Sequence, residues 1–192
     1  MKKRFILCII FNIIFLSAIN SALTIDLKDS YDSKENIIVR LNGELPEGIS
    51  LNQVIFKRKH VAIAPEFDVK KLGNDWYIWA IAPQQEGNYT LSLNNIAVYN
   101  SGKLEKIYFE QNFSVRSSIS EYTIKPGFIS TNSNFSIEVM LNKDIGMDLN
   151  VDFPQIGSIN LMPGENSIRF LIDSIEGTQF RTINIGKYGL PA

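Results

Sequence analysis

Pro83-Gln84-Gln85-Glu86-Gly87-Asn88-Tyr89-Thr90-Leu91-Ser92-Leu93 is the stretch that decides the fold class of this 192-residue chain. Its first half holds Pro, Gly and Asn, the residues that punctuate turns. From Tyr89 onward the pattern alternates, with Tyr89, Leu91 and Leu93 set against Thr90, Ser92 and Asn94. In an extended chain successive side chains point to opposite faces. The alternation therefore gives one strand an apolar face and a polar face.

The same period recurs on both sides of this stretch. Leu23, Ile25 and Leu27 alternate with polar neighbours, as do Ile37, Val39 and Leu41, then Val54 and Phe56, then Phe113 and Val115. The run Trp76-Tyr77-Ile78-Trp79-Ala80-Ile81 is apolar on both faces, which suits a strand in the middle of a sheet. A pause at Ser117-Ser118 separates a second set, built on Tyr122 and Ile124, Phe135 to Leu141, Leu149 to Phe153, Ile159 and Leu161, Ile168 to Ile172, and Ile183 and Ile185. No stretch after residue 22 keeps a helical period for three turns. Short strands and frequent turn signals predict an all-β chain, with about seven strands in 23–116 and about six in 119–187. Two tandem β-sandwiches with those bounds are the expectation, and one larger sandwich is the alternative.

The N-terminus reads differently. Met1-Lys2-Lys3-Arg4 is followed by an apolar run from Phe5 to Ile19 and by Asn20-Ser21-Ala22. A basic start, an apolar helix of about 15 residues and small residues at its end make a signal sequence over residues 1–22. The chain is therefore expected outside the cytoplasm: secreted, periplasmic or on the cell surface. Membrane contact is expected only if this segment stays uncleaved as an anchor. The lone cysteine, Cys8, lies inside the segment, so no disulfide, thiolate nucleophile or Cys metal site is expected in the exported body. Losing Lys2, Lys3 and Arg4 moves the formal net charge from −1 to −4. A mildly acidic, mixed surface gives no footprint for nucleic acid.

Two motifs carry a family resemblance. The Gln85-to-Leu93 segment resembles the E–F corner of immunoglobulin-like and fibronectin-III-like domains. The resemblance gives Tyr89 the role of a core tyrosine whose hydroxyl bonds back to the turn, Gly87 the role of the turn glycine, and Trp76 that of a core aromatic. Leu91 stands where antibody domains carry cysteine, so the likeness is to the broad superfold. Leu161-Met162-Pro163-Gly164-Glu165-Asn166 is similar to a turn of prokaryotic adhesion-related Ig-like modules, with Pro163 presetting the turn and Gly164 allowing positive φ. The resemblance implies a structural, adhesion or binding role without fixing a ligand.

No catalytic constellation stands out, and the expectation is a protein that is not an enzyme and uses no cofactor or metal. His60 is the only histidine and sits in the basic run Lys57-Arg58-Lys59-His60, which reads as a guarded edge strand, or alternatively as a polyanion contact. The acidic sets Asp29, Asp32, Glu35 and Asp144, Asp148, Asp152 are loosely spaced for calcium. Asn88, Asn112 and Asn134 each begin an N-x-[ST] match and are candidate glycosylation sites. Trp76, Tyr77 and Trp79 are candidate sugar-stacking aromatics, with Trp76 and Trp79 on opposite faces of one strand. Ile107 to Val115 is a candidate edge strand. The expected role is a non-catalytic exported module that contacts a protein or glycan. An assembly-chaperone-like accessory protein and a carbohydrate-binding module are the alternatives.

Overall fold

The computed structural model describes residues 23–100, 102–153, 157–172 and 177–192. The expected signal sequence at 1–22 lies outside them. The described chain is all-β. Its first strands are β1 (Thr24–Asp26), β2 (Ser30–Ser33), β3 (Asn36–Asn42), β4 (Val54–Arg58), β5 (Val61–Ile63) and β6 (Phe67–Leu72). They continue with β7 (Asp75–Ile81), β8 (Gly87–Asn100), β9 (Lys103–Ile119), β10 (Tyr122–Lys125) and β11 (Phe135–Leu141). The last are β12 (Met147–Val151), β13 (Gly157–Leu161), β14 (Gly164–Phe170), β15 (Thr182–Ile185) and β16 (Tyr188–Pro191). A 3-10 turn at Leu51–Gln53 precedes β4.

The strands form four open sheets, ordered β1-β3-β7-β6, β2-β9-β8-β4-β5, β10-β11-β14 and β13-β12-β15-β16. The first two sheets share one buried core. Ile37, Val39, Leu41 and Ile78 come from one sheet, and Phe56, Leu91, Leu93 and Phe113 from the other. The last two sheets share a second core, with Ile124, Ile137, Val139 and Phe170 facing Leu149, Val151, Ile185 and Leu190. Sheet facing sheet across an apolar layer is compatible with a β-sandwich. The alternating residues are those that fill the cores, because a period of two is what a half-buried strand requires.

The turns behave as their residues dictate. Tyr89 donates its hydroxyl to Gln85 O at 2.5 Å, and its buried ring stacks on Phe113 with centroids 5.7 Å apart. Gly87 has φ of 143°, which favours a residue without Cβ. Trp76 packs against the first core and lies over Gly48. At the start of β14, Gly164 takes a φ of 91° after Pro163. Asn166 closes that turn by accepting from Met162 N–H at 2.9 Å and donating to Met162 O at 2.8 Å.

Three strand features depart from the alternation. β2 is short and polar, and it pairs in parallel with the far end of β9. β8 runs on past Leu93 through a bulge at Asn94-Asn95 to Asn100, and Asn95 takes a φ of 56° there. β16 extends to Pro191, and Tyr188 and Leu190 lie in the second core beyond residue 187.

A polar seam joins the two cores. Asn36 Nδ2 donates to Ile124 O at 2.6 Å, and Ile124 N–H donates to Asn36 Oδ1 at 2.8 Å. A side-chain amide thus satisfies a buried peptide as a neighbouring strand would. Thr123 Oγ1 donates to Lys34 O at 2.7 Å, and Asn36 N–H donates to the Tyr188 hydroxyl at 3.3 Å. Burial pushes the Tyr188 hydroxyl up from its ordinary pKa. Beside the seam, Trp79 is only 4% exposed and clusters with Leu72 and Phe128.

Candidate functional site

The outward face of the β2-β9-β8-β4-β5 sheet carries a polar grid. Register aligns Lys57 on β4 with Thr90 on β8 and Asn112 on β9. The next rung toward β2 holds Asn88, Ser114 and Ser30, and the rung on the other side holds Ile55, Ser92 and Glu110. The grid arises because Tyr89, Leu91 and Phe113 are buried and Phe109 packs against the same core, which sends their polar neighbours out. Thr90 Oγ1 donates to Asn112 Oδ1 at 2.7 Å.

The β4–β5 turn, Lys59 and His60, and Asp29 just before β2 border this face. Together they border an open cavity of about 850 Å³ lined by residues that include Asp29, Lys57, His60, Asn88, Thr90, Glu110, Asn112 and Ser114. That volume lies within the usual range for small-ligand sites.

One corner is tied by charge. Lys57 Nζ donates to Glu110 Oε1 at 2.7 Å and to the Tyr108 hydroxyl at 3.0 Å. Glu110 also accepts from Ser92 Oγ at 2.8 Å and from Tyr108. The Lys57 bond, followed by those from Tyr108 and Ser92, holds the Glu110 carboxyl down at about 2. Glu110 in turn raises the pKa of Lys57. Tyr108 stays 57% exposed beside this knot, with the Lys57 ammonium 5.5 Å from its ring centroid.

Arg58 plays a different part. It donates to Gln85 Oε1 and, at 2.9 Å, to Glu86 O. Its guanidinium sits 5.9 Å from the Tyr89 ring centroid. It therefore fixes the turn that delivers Asn88 to the grid.

The structure gathers several residues that the sequence singled out separately. Lys57, Lys59, His60, Asn88, Asn112 and Asp29 all border one cavity. The N-x-[ST] matches at Asn88 and Asn112 face each other across β8 and β9, with Asn88 opposite Ser114 and Thr90 opposite Asn112. Asn134 lies elsewhere and accepts from Ile172 N–H at 2.9 Å.

Other candidates have separate employment. Asp32 pairs with Arg116 at 2.9 Å, and buried Glu35 pairs with Lys28 at 3.3 Å and accepts from Asp32 N–H. Asp148 accepts from Asn160 and Asp152 from Asn184. Among the described residues no three His, Cys, Asp or Glu side chains are grouped to hold a metal ion. Trp79 is covered, and Tyr77 packs against the Trp79 cluster, so neither forms an open stacking surface.

Tyr108 is the residue sequence reasoning missed. Its signal was present: Ile107 and Phe109 point inward, so Tyr108 shares the outward face with Glu110 and Asn112.

Chemically, the grid offers amides, hydroxyls, the Lys57–Glu110 ion pair and the exposed ring of Tyr108. That set exchanges hydrogen bonds with a polyhydroxylated ligand and supplies an apolar ring for stacking. No protein-family model matches the chain, and a search of curated proteins finds no match.

Proposed function

We propose that this chain is an exported, non-catalytic binding module that acts outside the cytoplasm and holds a glycan on the polar face of its five-stranded sheet. In this reading residues 23–116 and 119–187 are two tandem Ig-like β-sandwich domains behind a signal sequence. The observation that carries the proposal is the registered grid of Lys57, Thr90, Asn112, Asn88 and Ser114 beside exposed Tyr108. A sugar ring presents hydroxyls at its edge and C–H groups on its face, and this surface answers both. The Tyr89 hydroxyl bond to Gln85 O and the turn at Pro163 and Gly164 support the Ig-like assignment.

The test is a glycan array followed by titration calorimetry on any hit, comparing the wild type with Asn88→Ala, Asn112→Ala and Tyr108→Ala. Each lost neutral hydrogen bond weakens binding by about 2- to 13-fold, from about 0.5–1.5 kcal/mol. Binding that survives all three substitutions together refutes the site.

A further inference from the structure

Beyond the proposed ligand face, we propose that the outer edge of β9 pairs antiparallel with the same edge of a second copy, about a twofold axis at Tyr108. β9 is paired on its inner side by β8 along its length, from Lys103 to Val115. On its outer side β2 covers it only from Ser114 onward. Among the described residues no strand pairs with the outer side of 103–113.

The direction of the free groups follows from one bond. Ser114 N–H donates outward to Asp29 O at 2.9 Å. Backbone groups alternate sides along an antiparallel strand. The N–H and C=O groups of Leu104, Lys106, Tyr108, Glu110 and Asn112 therefore face outward, and those of the odd-numbered residues face β8.

A twofold axis normal to the sheet pairs residue i with residue 2c − i, so the centre c sets which charges meet. Centred on Lys106, the axis sets ammonium against ammonium, and centred on Glu110 it sets carboxylate against carboxylate. Centred on Tyr108, it sets Lys106 opposite Glu110 twice and Tyr108 opposite Tyr108. Opposite charges and aromatic rings are the favourable cross-strand pairs, and like charges directly opposite are unfavourable. Lysine usually guards an exposed edge. Here the guarding ammonium of Lys106 would meet Glu110 of the other copy, a carboxylate whose Oε1 is held by Lys57 of its own chain. Lys106 is held only loosely within its own copy, 3.8 Å from Glu47, with both side chains about half exposed. The same axis places the exposed side chains of Leu104 and Tyr108 at the junction. The two polar faces would then join into one continuous double-width surface.

Sedimentation velocity on the full chain, with its N-terminal segment present, tests the pairing. The wild type is expected to sediment as a dimer, and Lys106→Glu as a monomer at the same concentration. Glu110→Lys alone is also expected to be monomeric. An equimolar mixture of the two variants restores the dimer, because the carboxylate introduced in one copy then lies opposite the ammonium introduced in the other. Hydrogen exchange gives an independent readout. The amides of Lys106, Tyr108 and Glu110 are expected to be protected in the dimer and to exchange at least tenfold faster in the Lys106→Glu variant, while those of Ile107 and Phe109 stay protected in both. A monomeric wild type, a dimer indifferent to Lys106→Glu, a mixture that stays monomeric, or an edge that pairs with an extended strand of another protein would each overturn the proposal.

Discussion

Substituting Gly127 by alanine tests how the two cores are joined. A Cβ built on Gly127 would lie 1.7 Å from Trp79 Cδ1 and 2.2 Å from Trp79 Cγ. Carbon atoms rest about 3.5–4.0 Å apart, so the indole must retreat by roughly 2 Å or the 126–128 segment must lift off it. Trp79 has little room to retreat, being buried with Leu72 and Phe128. Overpacking of this kind costs about 1–3 kcal/mol. Trp79→Ala alone removes a large buried ring and costs about 3–5 kcal/mol. The double variant should cost less than the sum by about the whole Gly127→Ala penalty, because the clash has lost its partner. Urea unfolding of the four proteins, followed by circular dichroism, measures the cycle. An alanine at 127 that shifts stability by under about 0.5 kcal/mol, or penalties that simply add, would refute the close packing of Trp79 on the 126–128 segment.

Three further outcomes are expected. Asn36→Ala leaves both the Ile124 N–H and its C=O without their partner, which costs about 1–3 kcal/mol for each buried group and accelerates exchange of the Ile124 amide. Tyr89→Phe deletes only the bond to Gln85 O; it should lower stability by about 0.5–1.5 kcal/mol, read from the urea midpoint, with the aromatic stack on Phe113 retained. Glu110 has its folded pKa depressed to about 2 from the ordinary 4.5, so its ion pair stabilises the fold at pH above about 4.5 and is lost as pH falls from there toward 2. Carbon-detected NMR should find its carboxyl titrating near 2, and Lys57→Met should move that midpoint back up.

Much of the fold was legible because burial on one face writes itself as a period of two. Ile37, Val39 and Leu41, or Ile137, Val139 and Leu141, could face one core only as strands. β7 was readable as internal from its apolar run, and it lies between β3 and β6. β2 was not legible, since Ser30-Tyr31-Asp32-Ser33 reads as an acidic loop and owes its extended form to pairing with β9. The stretch of β8 beyond the Asn94-Asn95 bulge was hidden for a related reason: a bulge shifts the register, and the alternation restarts out of phase.

Residue types at the candidate site were readable one by one, but their meeting was not. Asn88 and Asn112 stand far apart in sequence, and only the β8–β9 register sets them on one face. The opposite faces of Trp76 and Trp79 followed from spacing alone. Which of them would be covered depended on Phe128, on a segment remote in sequence from both.

Ligand binding at the polar face of the five-stranded sheet is tested most directly by amide NMR spectra recorded during titration with a glycan that binds on the array. Saturable shifts are predicted at His60, Asn88, Thr90, Asn112 and Ser114, with residues of the second core unmoved. Shifts confined to the second core or to the seam around Asn36 and Ile124, with this face silent, would contradict it.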